Sequence, residues 1–280
     1  MSTTANIPTA ADLESMRDSF HRRGYVVARG LFQKNEVDQI KQTFDRIAAS
    51  GPVPGHFDPV PRQQSGGDPL KEYPRIHHPH RFDAVSRRAL LHPGVLGCVR
   101  DLMGEDTLAA QSMFYFKPPG ARGQAMHQDN FYLMVEPHTC IAAWTAIDDV
   151  DPENGGLYLI DDTANEPIVC PGTADPTLSF TSHLVPTPEG KHAVPCILNA
   201  GDTLFFNGNT IHGSGPNRSK GRFRRSFVCH YIPCSTRRIS RFYLPLLDPD
   251  GNEVMIESNT GGGACGRDWM EDVVWEGSAH

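Results

Sequence analysis

The sequence predicts a mainly β protein with flanking helices, its strands forming an antiparallel sandwich or barrel. Two patterns carry this prediction. Before residue 105, apolar residues recur at spacings of three and four, as they do along helix faces. After residue 105, short strand-like runs follow one another, separated by turn clusters such as PPG, DPENGG, NAGD and NGN. No helical pattern alternates with those runs, which argues against a parallel βαβ architecture.

Taken in order, residues 1–10 read as a flexible tail. AADLESMRDSFHRRGYVVARG reads as a helix with Leu13, Met16 and Phe20 on one face, stopped by Gly24 and followed by a short strand. A second helix runs through NEVDQIKQTFDRIAAS, with Val37, Ile40, Phe44 and Ile47 on its apolar side. Residues 51–80, rich in Pro, Gly and His, read as a long irregular segment. HPGVLGCVRDLMG reads as a third helix closed by Gly104. Strands are then expected in TLAAQSMFYF, FYLMV, TCIAAWTAIDDV, GGLYLI, GDTLFF and RRSFVCHYIP. The stretch 161–196 carries too many prolines for regular structure and reads as a long loop of the kind that lids a site. The organisation expected is one domain over 1–280: a helical part at about 9–104, a core at about 105–235 and a C-terminal extension at 236–280.

Composition is that of an ordinary globular chain, with 39% hydrophobic and 21% charged residues. A net charge of −7 argues against nucleic acid as a partner, since its readers present a basic face. No apolar run is long enough to span a bilayer, and MSTTANIPTAADLESM lacks the basic and apolar regions of a signal peptide. The expectation is a cytoplasmic protein, a monomer or small homo-oligomer, acting on a small molecule. Seven cysteines without a C-x-x-C pair are expected to be reduced thiols, with Cys140 and Cys229 in the core.

The chemistry concentrates in HQDNFYL and NTIHGSGPN. In an extended chain His127 and Asp129 project to one side and Gln128 to the other. An imidazole and a carboxylate side by side are two legs of a metal site, and His212, flanked by glycine, is the best third. Two histidines and one carboxylate on one face of an octahedral ion leave three positions open, the facial triad of non-haem Fe(II) oxygenases. A lone His-x-Asp is equally compatible with a hydrogen-bonded core pair, and other histidines (His77, His78, His80, His230) could compete as ligands. Downstream, Arg224 and Ser226 stand two apart. A guanidinium fork can take a carboxylate bidentately and a hydroxyl can assist it. Arg222 and Arg225 beside it could equally make it a surface charge.

KPP, H-Q-D, A-W-T-A, N-G-G, G-D, H-G-S-G-x-N and R-R occur here in the order found in the phytanoyl-CoA dioxygenase family of Fe(II)/2-oxoglutarate oxygenases, which the chain resembles over nearly its whole length. The resemblance implies a double-stranded β-helix (jelly-roll, cupin-like) barrel. It implies iron on His127, Asp129 and His212, with dioxygen as oxidant. It further implies 2-oxoglutarate on Arg224, helped by Ser226, Trp144 and Met113, with Gln124 and Arg75 as further polar contacts. Arg224 comes one residue later after the distal histidine than is common in the family. Because Asp129 is retained, hydroxylation is favoured over halogenation, which needs a small residue there.

The substrate expected is a small metabolite, such as a secondary-metabolite intermediate or a polar, cationic compound, enclosed by residues 51–80 and 161–196. An acyl-CoA would call for a basic patch, for which Arg237, Arg238 and Arg241 are the only obvious cluster. The alternatives are a non-catalytic metal-binding barrel and a zinc-dependent hydrolase or isomerase; the latter lacks an evident base or fourth ligand.

Overall fold

The computed structural model describes residues 9–259 and Cys265. Of the tail expected at residues 1–10, residues 1–8 lie outside the described residues, as does most of the chain beyond 259, while Thr9 and Ala10 belong to the start of the first helix. Helix α1 (Ala10–Arg23) begins at Thr9, whose hydroxyl caps it in a box with Asp12, and ends at Gly24 in the left-handed region. Strand β1 (Tyr25–Ala28), α2 (Lys34–Ser50), the single turn α3 (Pro69–Glu72) and β2 (Ile76–His77) follow, then α4 (Ala84–Leu90) and α5 (Pro93–Met103). The predicted helices correspond to α1, α2 and α5. Helix α4 was not anticipated; it is short, and Asp83 starts it by accepting from Ser86 N.

The β-rich part comprises β3 (Thr107–Tyr115), β4 (Gln124–His127), the short helix α6 (Asp129–Leu133), β5 (Ile141–Ala146) and β6 (Leu157–Ile160). It continues through β7 (Gly172–Thr173), β8 (His183–Leu184), β9 (Ala193–Pro195), β10 (Thr203–Asn207), β11 (His212–Ser214) and β12 (Ser226–Pro233). The last strands are β13 (Arg238–Ser240), β14 (Leu246–Leu247), β15 (Glu253–Val254) and β16 (Glu257–Asn259). An eight-stranded sheet runs β1-β10-β5-β12-β3-β14-β15 with β2 also on β3, and a four-stranded sheet runs β4-β11-β6-β9. The pairings within both are antiparallel.

Strand alternation sorts the large sheet into two faces. On one face Phe114, Phe205, Phe227, Cys229 and Tyr231 pack against the apolar sides of α1, α2 and α5, including Phe20, Phe44 and Val99. On the other, Met113, Trp144, Phe206 and Val228 meet Leu157 and Leu159 of the small sheet. The functional site lies on this second face.

Three expectations are corrected. FYLMV is not a strand: the chain turns after His127 into α6, because Asn130 N donates to Gly208 O and Asn130 Oδ1 accepts from Val135 N, closing one helical turn. A five-residue apolar run cannot distinguish these outcomes by itself. Residues 161–196 are not wholly irregular; they carry β7, β8 and β9. The thiols are not all reduced, since Cys170 and Cys265 form a disulfide while Cys98, Cys140, Cys196, Cys229 and Cys234 are free. Cys140 and Cys229 are buried, as expected. The N-terminal and C-terminal parts also feed strands into the large sheet: β1 pairs with β10, β2 and β14 with β3. No described helix is long and apolar enough to cross a membrane.

Candidate metal centre and its two cavities

Antiparallel pairing of β4 with β11 sets His127 directly opposite His212. Their rings lie 4.2 Å apart between centroids. Gly213 makes this approach possible, because a Cβ there would stand 2.8 Å from Gln124 O. Each ring is fixed by its Nδ1, which donates to a carbonyl two residues back: Ala125 O at 2.9 Å for His127 and Thr210 O at 2.9 Å for His212. Both Nε2 lone pairs are thereby turned towards Asp129. Asp129 Oδ1 lies 3.5 Å from His127 Nε2 and 3.6 Å from His212 Nε2. The three donor atoms fall within 4.8 Å of one another, and all three residues are buried. Gln128 faces away, tying down Pro167 O, Asn209 O and Val169 N.

The charges suit a cation. Burial pushes the Asp129 carboxyl up, but its contacts with the imidazoles of His212, His230 and His127 outweigh it, holding the group well below the ordinary carboxylate range. Burial, reinforced by His127, brings His212 down to about 4, so its imidazole is neutral and able to ligate at pH 7. Of the competing histidines, His77, His78 and His80 do not join the cluster. His230 does touch it, through Nε2 at 3.0 Å from Asp129 Oδ2.

Two cavities meet at the triad. The smaller, about 40 Å³, is lined by Met113, Trp144, Gln124, Ser214 and Arg224 with the triad. Arg224 is buried, stacks 5.1 Å from the Trp144 ring, and donates from Nε to Gly155 O (3.2 Å) and from Nη1 to Ser226 Oγ (2.8 Å). Gly155 reaches that position at φ 84, where a Cβ would meet the Lys117 side chain at 2.6 Å. Burial lowers Arg224 to about 10, which leaves it charged at neutral pH. Among the described residues no carboxylate forms an ion pair with it, whereas Arg225 pairs with Asp148 and Asp45, and Arg222 with Asp151 and Glu153. The structure thus distinguishes the three arginines: one is a buried cation with no carboxylate at ion-pair distance among the described residues, and two are in ion pairs.

Ser226 is occupied by Arg224 and does not line the chamber; the hydroxyl-bearing residues that do are Ser214 and Tyr115. Ser214 Oγ accepts from Lys117 Nζ at 2.8 Å. Lys117 is buried, and burial together with Arg224 lowers its ammonium well below the ordinary lysine range. Lys117 and Ser214 were not singled out from sequence, and His230 was named only as a competing ligand, although each lies inside or beside a quoted motif: KPPG, HGSG and CHY.

The larger cavity, about 530 Å³, shares His127, Asp129, Met113 and Gln124 with the smaller one. Arg75 and His77 from 51–80 and Phe180 to His183 from 161–196 line it, as expected of enclosing segments, with Tyr132 and Phe242. Arg75 therefore sits on this larger cavity and not in the chamber of Arg224, donating to His77 Nε2 (3.0 Å). Gln124 Nε2 lies 3.1 Å from His127 Nε2, at the mouth between the two.

A profile of the family described as "Phytanoyl-CoA dioxygenase (PhyH)" matches residues 20–226. The chain is similar to the peroxisomal phytanoyl-CoA dioxygenase of Mus musculus, at 27% identity over 77% of this chain and 67% of that one. It is similar to phytanoyl-CoA dioxygenase 1 of Oryza sativa subsp. japonica, at 30% identity over 75% and 77%. In three dimensions it resembles the epimerase SnoN in complex with Fe3+, α-ketoglutarate and nogalamycin RO, with a TM-score of 0.66 and 22% identity over 82% of this chain and 86% of that one.

Proposed function

The chain belongs to the phytanoyl-CoA dioxygenase family of Fe(II)/2-oxoglutarate-dependent dioxygenases, and from that premise we propose that it hydroxylates a small-molecule metabolite. In this reading the two sheets form a double-stranded β-helix, and His127 Nε2, Asp129 Oδ1 and His212 Nε2 hold the iron. The donor set fits: two imidazoles and one carboxylate, with no fourth protein ligand among the described residues. The chemistry of the chamber suits the far carboxylate of 2-oxoglutarate equally, because Arg224 is a buried cation and Ser214 lines the wall beside it.

When bound, ferrous iron, 2-oxoglutarate and dioxygen supply the oxidising equivalent, with succinate and carbon dioxide released. The chain itself binds, orients and excludes water. Arg224, held flat by Trp144 and Ser226, fixes the far carboxylate of the co-substrate, while Met113 and Trp144 wall its carbon chain. Gln124, at the mouth between the cavities, gives up its contact with His127 Nε2 when the metal takes that nitrogen. Phe180, Tyr132 and Phe242 screen the larger cavity from water, where the substrate's C–H bond must face the triad.

An acyl-CoA substrate is less well served than a compact metabolite, since Arg75 is the only arginine or lysine lining the larger cavity, and Arg238 is paired with Glu136. The same arginine, without an acidic partner among the described residues, disfavours the cationic substrate anticipated from composition. The observation that carries the proposal is the convergence of two imidazole nitrogens and one carboxylate oxygen within 4.8 Å on a chamber holding an uncompensated arginine. Adding Fe(II) and 2-oxoglutarate without oxygen should produce a weak visible charge-transfer band, lost in His127→Ala. A wild-type protein without the band refutes the proposal. Succinate release across a metabolite panel then identifies the substrate.

A further inference from the structure

We infer that His230 is a positioning residue that keeps Asp129 a one-oxygen ligand; the inference rests on the iron reading above. The two carboxylate oxygens of Asp129 have separate partners. Oδ1 faces His127 Nε2 and His212 Nε2, at 3.5 and 3.6 Å, whereas Oδ2 is 3.0 Å from His230 Nε2. An ionised carboxylate only accepts, so the proton of this contact resides on His230 Nε2.

Three features mark the contact as more than packing. His230 is buried, and among the described residues its Nδ1 has no hydrogen-bond partner, so the bond to Asp129 is the ring's one polar attachment. An unsatisfied buried nitrogen is destabilising, a cost that an apolar side chain such as its strand neighbour Val228 avoids. The pairing of β12 with β3 also shifts register between His230 and Tyr231, a bulge of the kind that re-aims a side chain. Finally, His230 lines both cavities, so it stands where the two ligands and the triad meet.

The consequence concerns coordination number. A carboxylate gripping an ion through both oxygens fills two positions, and with two histidines leaves a six-coordinate metal only two vacancies. A chelating keto acid consumes both. By engaging Oδ2, His230 withholds that oxygen and preserves a third position for a further small ligand.

The test is anaerobic titration of the full-length chain with Co(II), read by calorimetry and by the ion's visible absorption, with and without 2-oxoglutarate. His230→Phe keeps the ring and removes the donor; His230→Gln returns an N–H near the Nε2 position. His230→Phe should weaken Co(II) binding roughly 10- to 100-fold, the usual effect of losing a group that orients a ligand, and should alter the absorption as Oδ2 joins the metal. His230→Gln should recover most of both, with unfolding temperatures showing that each variant is folded. His230→Ala serves as the donorless variant if the phenylalanine protein does not fold. Binding within about twofold of wild type with an unchanged spectrum in the donorless variant overturns the inference, as does a glutamine variant no better than it. Absence of Co(II) binding in the wild type would instead sink the iron reading itself, and this inference with it.

Discussion

Arg224→Met offers the sharpest test of the chamber, because its effects on ligand and on stability have opposite signs. The wild-type guanidinium is held by Gly155 O and Ser226 Oγ over Trp144, with no ion-pair partner among the described residues. A charge-assisted hydrogen bond contributes about 1.5–3 kcal/mol, so loss of this anchor should cost about 3 kcal/mol, roughly a 150-fold rise in the dissociation constant of 2-oxoglutarate. Stability should move the other way or not at all, since an uncompensated buried charge is removed. At a 2-oxoglutarate concentration near 100 times its dissociation constant, the metal-loaded wild type gains about 2.7 kcal/mol, and the variant only about 0.3 kcal/mol. Chemical denaturation with Mn(II), with and without 2-oxoglutarate, measures both quantities. Arg225→Ala is the control: its pair with Asp148 is largely buried and its pair with Asp45 reaches the surface, so it should lose about 3 kcal/mol of stability and keep its response to 2-oxoglutarate. If Arg225→Ala abolishes the response and Arg224→Met does not, the anchor is one residue further on. If neither does, the carboxylate is bound elsewhere.

The buried histidine His80, hydrogen-bonded to Ser112 Oγ and lowered to about 3 by burial and by Arg81 and Arg87, should make the fold acid-sensitive. Below pH 6.5 the unfolded chain takes up a proton that the folded one refuses until about pH 3, so stability falls as pH falls; at about 1.4 kcal/mol per pH unit the loss is roughly 2 kcal/mol by pH 5. Denaturation of His80→Asn at pH 7 and pH 5 should show that much less pH dependence; an unchanged slope refutes the assignment. Alkylation of the unfolded chain without reductant should modify five of the seven cysteines, and all seven after reduction, with reduction lowering stability by up to about 4 kcal/mol; seven modified without reductant removes the Cys170–Cys265 bridge.

The motifs that made the site legible turn out to be mostly the scaffold that holds it. Asn217 of HGSGPN donates to Lys117 O of KPPG and to Arg222 O, and Arg224 N donates to the same Lys117 carbonyl, so three separate motifs are tied at one point. Gly155 of the N-G-G turn presents its carbonyl to Arg224, and Asp202 of G-D accepts from Gly30 N and Arg29, locking β1 onto the sheet. Periodicity found α1, α2 and α5 because each buries a continuous apolar stripe against the sheet. It missed α6 because that helix is set by one side chain, Asn130, and by a backbone contact with Gly208 from far along the chain. His230 was legible only as a competing ligand for a related reason: nothing in SFVCHYIP separates a ligand from a partner of one, and only the fold brings it to Asp129 across 101 residues of sequence.

The charges of the inner face also explain why this interior can be so polar. Burial and the nearby Arg224 both lower the Lys117 ammonium, and Lys117 holds φ 40, an uncommon conformation for a residue with a side chain. Lys117 Nζ donates to Ser214 Oγ, whereas the Arg224 guanidinium stays charged at neutral pH. The fixed positive charge is therefore Arg224's, and the anion that answers it must come from outside the chain. Asp129 poses the converse problem, a buried carboxylate whose ion-pair partners among the described residues are histidines alone. A cation at one end of the chamber and a dicarboxylate along it resolve both at once, so the ligands are part of the electrostatic balance of the folded core.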